Sequence, residues 1–273
     1  HRPDKSQSGT ILIEIPGILG EIVEKRLVTI EQAKSLRSLE ETRSVAENSS
    51  IPLSLQRAIG AHSGISLIAE MKRSSPSAGS LDPDLVPAER AALYADAGAA
   101  AISVLTERDY FSGSIDDLIA VSKVARASRV PTLRKDFIFD EYQVYESRAA
   151  GADCILLIIA ILDPNQYADL FTLSTSMGMD VIVEVFDEPE LTIAMDVDPR
   201  IVGINNRNLK TLETSLSVFE LLAQQIPTDR IKVAESGMKN STDVERMGHA
   251  GASAVLIGES LMRAGGDVRD LAQ

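Results

Sequence analysis

Eight short apolar runs recur after residue 62, and each is followed by a polar turn and a longer segment with helical spacing. The predicted strands are residues 65–70, 99–105, 131–135, 152–159, 181–185, 201–205, 231–235 and 254–257. Strands that are buried on both faces have such continuous apolar runs, as parallel sheets require. Eight successive β–α units predict an α/β fold of the (β/α)8 TIM-barrel type. A doubly wound open sheet is the alternative, but no Gly-x-Gly-x-x-Gly loop follows the first strand.

The segments between and before these strands have the pattern of helices. Between the strands, helices are predicted at residues 87–97, 115–127, 141–149, 164–177, 189–197, 217–225 and 241–249. Residues 18–43 predict one or two amphipathic helices, and residues 53–59 a shorter one with Ser49 or Ser50 as its cap. Residues 1–9 are polar and predict a loose arm. We therefore expect a single domain in which an N-terminal arm and helical extension (residues 1–62) precedes the barrel (63–273).

Composition excludes several classes of partner and site. A net charge of −13 argues against nucleic acid and anionic membranes, so an anionic ligand must be held by local cations. Cys154 is the single cysteine, which leaves no disulfide framework or cysteine zinc site. His62 and His249 lack metal-ligand spacing, and we assign no metal. No apolar run approaches the roughly 18–20 residues of a membrane span. These features predict a cytoplasmic protein, and a start at His1 without Met indicates a processed N-terminus.

Polar residues follow the predicted strands at their carboxyl ends. The first strand ends in Glu70 and Lys72, which project to the same side because strand side chains alternate. Lys135 ends the third strand, Glu184 lies in the fifth, and Glu235 ends the seventh. In a barrel these ends meet at one rim, where enzymes of this fold place their catalytic residues.

Small residues follow the last two strands. Ser236-Gly237 comes after the seventh strand, and Gly258-Glu259 after the eighth. Glycines let backbone N–H groups approach an anion, and barrels often bind phosphate at these two loops. The loops therefore predict a phosphate site.

A structural role is the alternative for each of these residues taken singly. Glu70 and Lys72 are also compatible with an ion pair that closes the barrel mouth, and Lys135 and Arg207 with solvated cations. Glu184 lies between two valines, where a buried carboxylate needs a partner or a chemical role. Unrelated structural roles at all six strand ends would require a coincidence, and one shared functional site explains these polar residues better.

The chain closely resembles the indole-3-glycerol-phosphate synthases of tryptophan biosynthesis. The resemblance rests on residues 68–77 (IAEMKRSSPS) and 135–137 (KDF), and it extends from about residue 18 to residue 263. It includes residues 183–185 (VEV), 203–209 (GINNRNL), 234–237 (AESG) and 257–262 (IGESLM). The first of these motifs is specific, whereas the last two also occur in other phosphate-binding barrels.

The resemblance implies a carbon–carbon lyase that needs no cofactor or metal. Enzymes of this family close 1-(2-carboxyphenylamino)-1-deoxyribulose 5-phosphate to indole-3-glycerol phosphate and release CO2 and water. By resemblance, Lys135 is the general acid at the ketone, and Glu184 orients it or acts as a second acid/base. Glu70 is the acid/base of the dehydration, with Lys72 assisting.

The resemblance also implies how the substrate is bound. Ser75, Asn205 and Arg207 would hold the carboxylate, and Phe111 and Phe137 would pack on the anthranilate ring. Glu235 would contact Lys72 or the substrate. The phosphate would rest on the backbone of the residues that follow the last two strands: Ser236, Gly237, Gly258 and Glu259.

The partner implied by this reading is a small phosphorylated molecule. We expect a monomer, with contact to other tryptophan-pathway enzymes left open. Alternatives are a sibling phosphoribosylanthranilate isomerase, a Schiff-base aldolase that uses Lys135, and a non-catalytic interaction protein that docks through its N-terminal helices.

Overall fold

Eight parallel strands form a closed barrel, as the recurring apolar runs predicted. The computed structural model describes residues 15–263. In chain order the barrel strands are β1 Ser66–Met71, β2 Ala101–Leu105, β3 Thr132–Lys135, β4 Cys154–Ile158, β5 Asp180–Val185, β6 Ile201–Asn205, β7 Ile231–Glu235 and β8 Ala254–Ile257. Each strand pairs with its sequence neighbour, and β8 closes the barrel on β1 through the pairs Ser66↔Ala254 to Ala69↔Ile257. The predicted fold class is confirmed.

Helices surround the barrel and precede it. Their bounds are α1 Ile18–Leu36, α2 Leu39–Glu47, α3 Leu55–Gly60, α4 Pro87–Asp96, α5 Ile115–Ala127, α6 Glu141–Ala149, α7 Pro164–Ser176, α8 Glu188–Met195, α9 Ser217–Ala223, α10 Ser241–His249 and α11 Glu259–Arg263. The predicted arm at residues 1–9 lies outside the described residues. None of the helices within residues 15–263 combines the length and the apolarity that a bilayer crossing requires.

The N-terminal helices contact both ends of the barrel. Helix α1 lies over the carboxyl ends of the strands, where Leu19 and Ile22 form part of the cavity wall. Helix α3 lies under the opposite end, where the hydroxyl of Ser66, the first residue of β1, donates to the carbonyl of Ile59. The N-terminal helices therefore divide between the two ends of the barrel, with α1 over the rim and α3 at the opposite end.

The cap predicted for the third helix was wrong. Ser54, and not Ser49 or Ser50, precedes the helix and accepts a hydrogen bond from the Arg57 N–H at 3.2 Å. The reason is a tertiary contact. The carboxylate of Asp180, at the start of β5, accepts from both the Ser54 hydroxyl and the Gln56 N–H at 3.1 Å, and this contact sets where the helix begins.

A short hairpin follows strand β1. Ser74–Ser75 pairs antiparallel with Gly79–Ser80 after β1. Arg73 joins this segment to helix α5 through an ion pair with Asp117. The hairpin thus lies at the cavity entrance with a defined backbone.

The side chains at the end of β3 alternate between the barrel interior and its outer face, so charged groups lie on both sides. Lys135 faces the barrel interior, whereas the side chains of Arg134 and Asp136 point to the outer face of the barrel, toward α6 and α1. Asp136 accepts from Arg26 Nε at 2.9 Å and Nη2 at 2.8 Å, from Arg134 Nη2 at 3.0 Å and from the Thr106 hydroxyl at 2.6 Å. This buried network holds the N-terminal helix against the strand that carries Lys135.

Burial alone would raise the pKa of Asp136, but Arg26 and Arg134 outweigh burial and lower it to about 2. Because the folded-state pKa lies below the unfolded value of about 3.9, the stabilisation is present above that value. It is lost as the pH falls through about 2.

We predict that Arg26→Met destabilises the protein because it leaves Asp136 with one guanidinium instead of two. The free energy of unfolding in urea should fall by about 2–3 kcal/mol at neutral pH. The loss of stability on acidification should also be shallower in this variant than in the parent.

Arg43→Met is the matched control, since it breaks the exposed Arg43–Glu47 pair at 2.7 Å within α2. It should change the free energy of unfolding by less than about 0.5 kcal/mol. Equal effects of the two substitutions would contradict the role assigned to the buried network.

Candidate active site

One cavity opens at the carboxyl ends of the barrel strands and is walled by the predicted site residues. Its lining includes Glu70, Lys72, Ser75, Phe111, Lys135, Phe137, Glu184, Asn205, Arg207, Ser236, Gly237, Gly258 and Glu259. Among the site residues predicted from sequence, only Glu235 is absent from this wall. It is fully buried and lies beneath Lys135.

Lys135 lies at the centre of a charged cluster. Its Nζ is 3.0 Å from Glu235 Oε2 and 3.5 Å from Glu70 Oε2. Lys72 Nζ lies 3.1 Å from the other Glu70 oxygen. Glu70 can approach this closely because Gly258 has no side chain. A Cβ built there would lie 2.6 Å from Glu70 Oε1.

The sequence predicted that Glu235 contacts Lys72 or the substrate, but in the structure its hydrogen-bond partner is Lys135. Strand β3 brings Lys135 across the barrel to the end of β7. This partner could not be chosen from strand order alone, since several polar ends converge on the axis.

The electrostatics of the cluster hold Lys135 in its charged form. Burial lowers the pKa of Lys135, but the carboxylates of Glu235, Glu70 and Glu184 outweigh burial and raise it above its ordinary value. Burial raises the pKa of Glu70, but Lys135 and Lys72 reverse the shift and lower it. At neutral pH the site therefore presents an ammonium that can donate a proton, and an ionised Glu70.

Asn205 links the cluster to the loop after β6. Its amide Nδ2 donates to Glu184 Oε1 at 3.0 Å, and its Oδ1 accepts from the Arg207 N–H at 3.0 Å. The Arg207 guanidinium lies 3.7 Å from Glu259 Oε2. The Glu259 side chain thus turns toward the guanidinium of Arg207.

Two phenylalanines make one side of the cavity apolar. The rings of Phe111 and Phe137 are 6.2 Å apart between centroids and inclined by 39°. Ser75 lies nearby in the hairpin, where its hydroxyl accepts from the Ala78 N–H at 3.1 Å. The cavity therefore combines a wall suited to an aromatic ring with polar groups at its base.

Glu107, which was not among the predicted site residues, positions Phe111. It is fully buried, and its carboxylate accepts from the N–H groups of Asp109 at 2.8 Å, Tyr110 at 2.7 Å and Phe111 at 3.1 Å. The sequence signal for this role was weak, because acidic residues often precede loops. Only the structure shows that this loop turns around the Glu107 carboxylate.

The loops after β7 and β8 lie side by side at the rim. Ser236 has φ of 64°, a left-handed conformation that non-glycine residues adopt rarely and that often marks functional sites. Ser260, in helix α11 directly after β8, donates from its hydroxyl to the Met238 carbonyl at 2.9 Å. This contact holds the two predicted phosphate-binding loops together.

Within residues 15–263, no group of three or more His, Cys, Asp or Glu side chains is arranged to hold a metal ion. Cys154 is fully buried at the start of β4, and burial raises its thiol pKa well above the usual value. It is therefore not placed to act as an acid or base at the rim.

A sequence model of the indole-3-glycerol phosphate synthase family matches residues 19–272. The chain belongs to the indole-3-glycerol phosphate synthase family. An indole-3-glycerol phosphate synthase of Albidiferax ferrireducens is 53% identical over 199 residues, which cover 72% of this chain and 74% of that relative. One from Polaromonas sp. strain JS666 is 46% identical over 251 residues, which cover 90% of this chain and 94% of the relative.

Solved structures with little sequence similarity share the fold. A thiamine phosphate pyrophosphorylase from Pyrococcus furiosus superposes with a TM-score of 0.58 at 13% identity, over 76% of this chain and 94% of that chain. At this identity the match shows the barrel fold alone.

We predict that Glu107→Gln loosens the loop that carries Phe111. An amide oxygen cannot replace a carboxylate that accepts three N–H groups. The protection of the residue 109–111 amides against hydrogen exchange should therefore fall by about tenfold or more, the equivalent of losing roughly 1.5–3 kcal/mol of charge-assisted hydrogen bonding.

Asp109→Asn serves as the control in the same loop, since its exposed side chain has only a 3.8 Å contact with Arg108. Its exchange pattern should match that of the parent protein. Unchanged protection in Glu107→Gln would show that other contacts position the loop.

Proposed function

We propose that this chain closes the indole ring of 1-(2-carboxyphenylamino)-1-deoxyribulose 5-phosphate to give indole-3-glycerol phosphate, CO2 and water. The observation that carries the proposal is the position of Lys135, which lies at the cavity wall with its Nζ within 3.5 Å of the carboxylates of Glu70 and Glu235. Membership of the family supports the same reaction, which belongs to tryptophan biosynthesis. The roles of single residues below are proposals that follow from the geometry.

The cavity provides a distinct environment for each part of this substrate. The anthranilate ring would pack against Phe111 and Phe137. Its carboxylate would lie near Ser75, Asn205 and Arg207. The phosphate would contact the backbone of the loops after β7 and β8, through Ser236, Gly237, Gly258 and Glu259. Local groups thus bind an anion despite the chain's net charge of −13.

Ring closure needs an acid at the ketone. As the ring carbon that bears the carboxylate attacks the carbonyl carbon, the carbonyl oxygen takes up a proton and becomes a hydroxyl. Lys135 would donate that proton, since its raised pKa keeps it an ammonium at neutral pH and that ammonium lines the cavity. Glu184, held by Asn205, would orient the substrate or act as a second acid/base.

Two further steps complete the reaction. Loss of CO2 restores the aromatic ring, and the apolar wall formed by the two phenylalanines favours loss of the carboxylate charge by desolvation. Dehydration then removes the new hydroxyl and a proton from the neighbouring carbon. Glu70 would act as the acid/base in this step with help from Lys72, which lies 3.1 Å away. The reaction is redox-neutral, so it requires no electron acceptor.

Two alternative activities fit the site less well. A Schiff base needs Lys135 as a neutral amine, but its neighbouring carboxylates raise its pKa and keep it charged. An isomerase that uses a cysteine as an acid/base is opposed by the burial of Cys154 inside β4. A purely binding role leaves the cluster of buried charges unexplained.

Several further expectations remain proposals. We propose a monomer with a boundary between extension and barrel near residue 62, and a cytoplasmic location.

We predict that Lys135→Met abolishes turnover of the carboxyphenylamino-deoxyribulose phosphate, followed by indole fluorescence without added metal. A loss of at least about 10²–10⁴-fold is expected for removal of a general acid. Affinity for indole-3-glycerol phosphate should persist, because Lys135 is proposed to act on a carbonyl that the product lacks.

The control is Lys123→Met, which removes an exposed lysine from α5 and should leave turnover unchanged. Turnover in Lys135→Met at the parent rate would move the acid elsewhere, with Lys72 the next candidate. Absence of turnover in the folded parent protein would refute the proposed function itself.

A further inference from the structure

Two buried carboxyl groups lie close together on one side of Lys135. Glu184 is on β5 and Glu235 is on β7, and both are at most 3% exposed. Strand β6 runs between them, with Glu184 in register with Gly203 and Glu235 in register with Asn205. The Glu235 carboxyl group lies against Gly203, the residue of β6 that is in register with Glu184, so the two carboxyl groups are neighbours.

Gly203 makes room for this approach. A Cβ built on it would lie 2.2 Å from Glu235 Oε1. At that distance the two atoms would overlap. Any larger residue at this position of β6 would push the Glu235 carboxyl group away. The glycine therefore permits a contact between acidic residues on strands that are not adjacent.

The hydrogen bonds of the two carboxyl groups are incomplete without a proton between them. Glu184 Oε1 accepts from Asn205, and Glu235 Oε2 accepts from Lys135. Among the described residues, neither Glu184 Oε2 nor Glu235 Oε1 has a hydrogen-bond donor, and both atoms are buried. Two adjacent carboxylates that are both ionised repel each other, and buried oxygens without partners are costly.

We propose that Glu184 and Glu235 share one proton in the free protein, which makes Glu235 a positioning residue that acts through both Glu184 and Lys135. The proton forms an O–H···O bond between the two carboxyl groups and leaves the pair with a single negative charge.

The charges that face this pair support the arrangement. Lys135 approaches from β3, Glu70 and Lys72 from β1, and Arg207 follows β6, while the facing residues of β4 and β8 that line the cavity are apolar. Burial first, and then the charge of Glu184, raise the pKa of Glu235 to about 8, although Lys135 opposes the shift. The pair therefore keeps its proton at neutral pH and loses it as the pH rises through that value.

The proton has two consequences for the site. With it, Glu70, Lys72, Lys135 and the acidic pair sum to zero charge, so an anionic substrate enters a neutral cluster. Lys135 also faces two negative charges instead of three, which weakens the hold on its proton. The second consequence rests on the proposed function, whereas the shared proton itself does not.

Infrared spectroscopy of the ligand-free protein tests the proposal directly. A neutral carboxylic acid has a carbonyl stretch that a carboxylate lacks. The difference spectrum between about pH 6.5 and about pH 10, outside the range where ordinary carboxyl groups titrate, should show that band at the lower pH only. Glu235→Gln and Glu184→Gln should each remove it.

Two further variants distinguish the shared proton from general burial. Glu70→Gln replaces another buried carboxylate beside Lys135, and the band should persist. Gly203→Ala keeps every charge but displaces Glu235, so the band should weaken or shift. Gly60→Ala is the matched control, because its added Cβ has no atom within 4 Å, and it should leave the band unchanged. Absence of the band in the parent protein, or its persistence in both glutamine variants, would overturn the proposal.

The pH profile of turnover provides the functional readout. In the parent protein, loss of the shared proton should change kcat/KM at alkaline pH. Glu235→Gln should lack this change, because an amide cannot ionise. Glu235→Ala should lose more activity than Glu235→Gln. The same alkaline change in Glu235→Gln as in the parent would contradict the positioning role. Failure of the proposed function would abolish turnover in the parent but would leave the infrared band in place.

Discussion

The ion pairs of Lys135 organise the active-site end of this barrel. A lysine that is 16% exposed at its side chain is costly unless carboxylates surround it, and here Glu70 and Glu235 lie within 3.5 Å. Those carboxylates are in turn buried and need the lysine. The strand ends that carry them must therefore meet at fixed positions, and the closed parallel barrel provides that convergence.

The same strand that presents Lys135 to the cavity holds the N-terminal helix on its other face. Side-chain alternation places Arg134 and Asp136 outside the barrel, where Arg26 of α1 completes a buried ion network. Helix α1 also contributes apolar residues to the cavity wall. Stability and cavity shape are thus coupled through three consecutive residues, Arg134 to Asp136.

The elements that leave a periodic pattern of apolar and polar residues could be predicted from sequence. The apolar runs predicted all eight strands, and the polar residues at their ends predicted which side chains surround the cavity. The parts that depend on tertiary contacts could not be predicted. Asp180 sets the start of α3, Glu107 turns the loop that carries Phe111, and Gly203 gives Glu235 its position. Each of these depends on which distant atom lies opposite, and no local pattern encodes that.

A structure of the complex with the substrate analogue in which the ketone is reduced to an alcohol would test the central claim most directly. The account predicts that the new hydroxyl lies within hydrogen-bonding distance of Lys135 Nζ, with the ring against Phe111 and Phe137 and the phosphate on the loops after β7 and β8. A complex in which Lys135 still contacts only Glu70 and Glu235, and another residue reaches the hydroxyl, would contradict the role of Lys135 as the general acid.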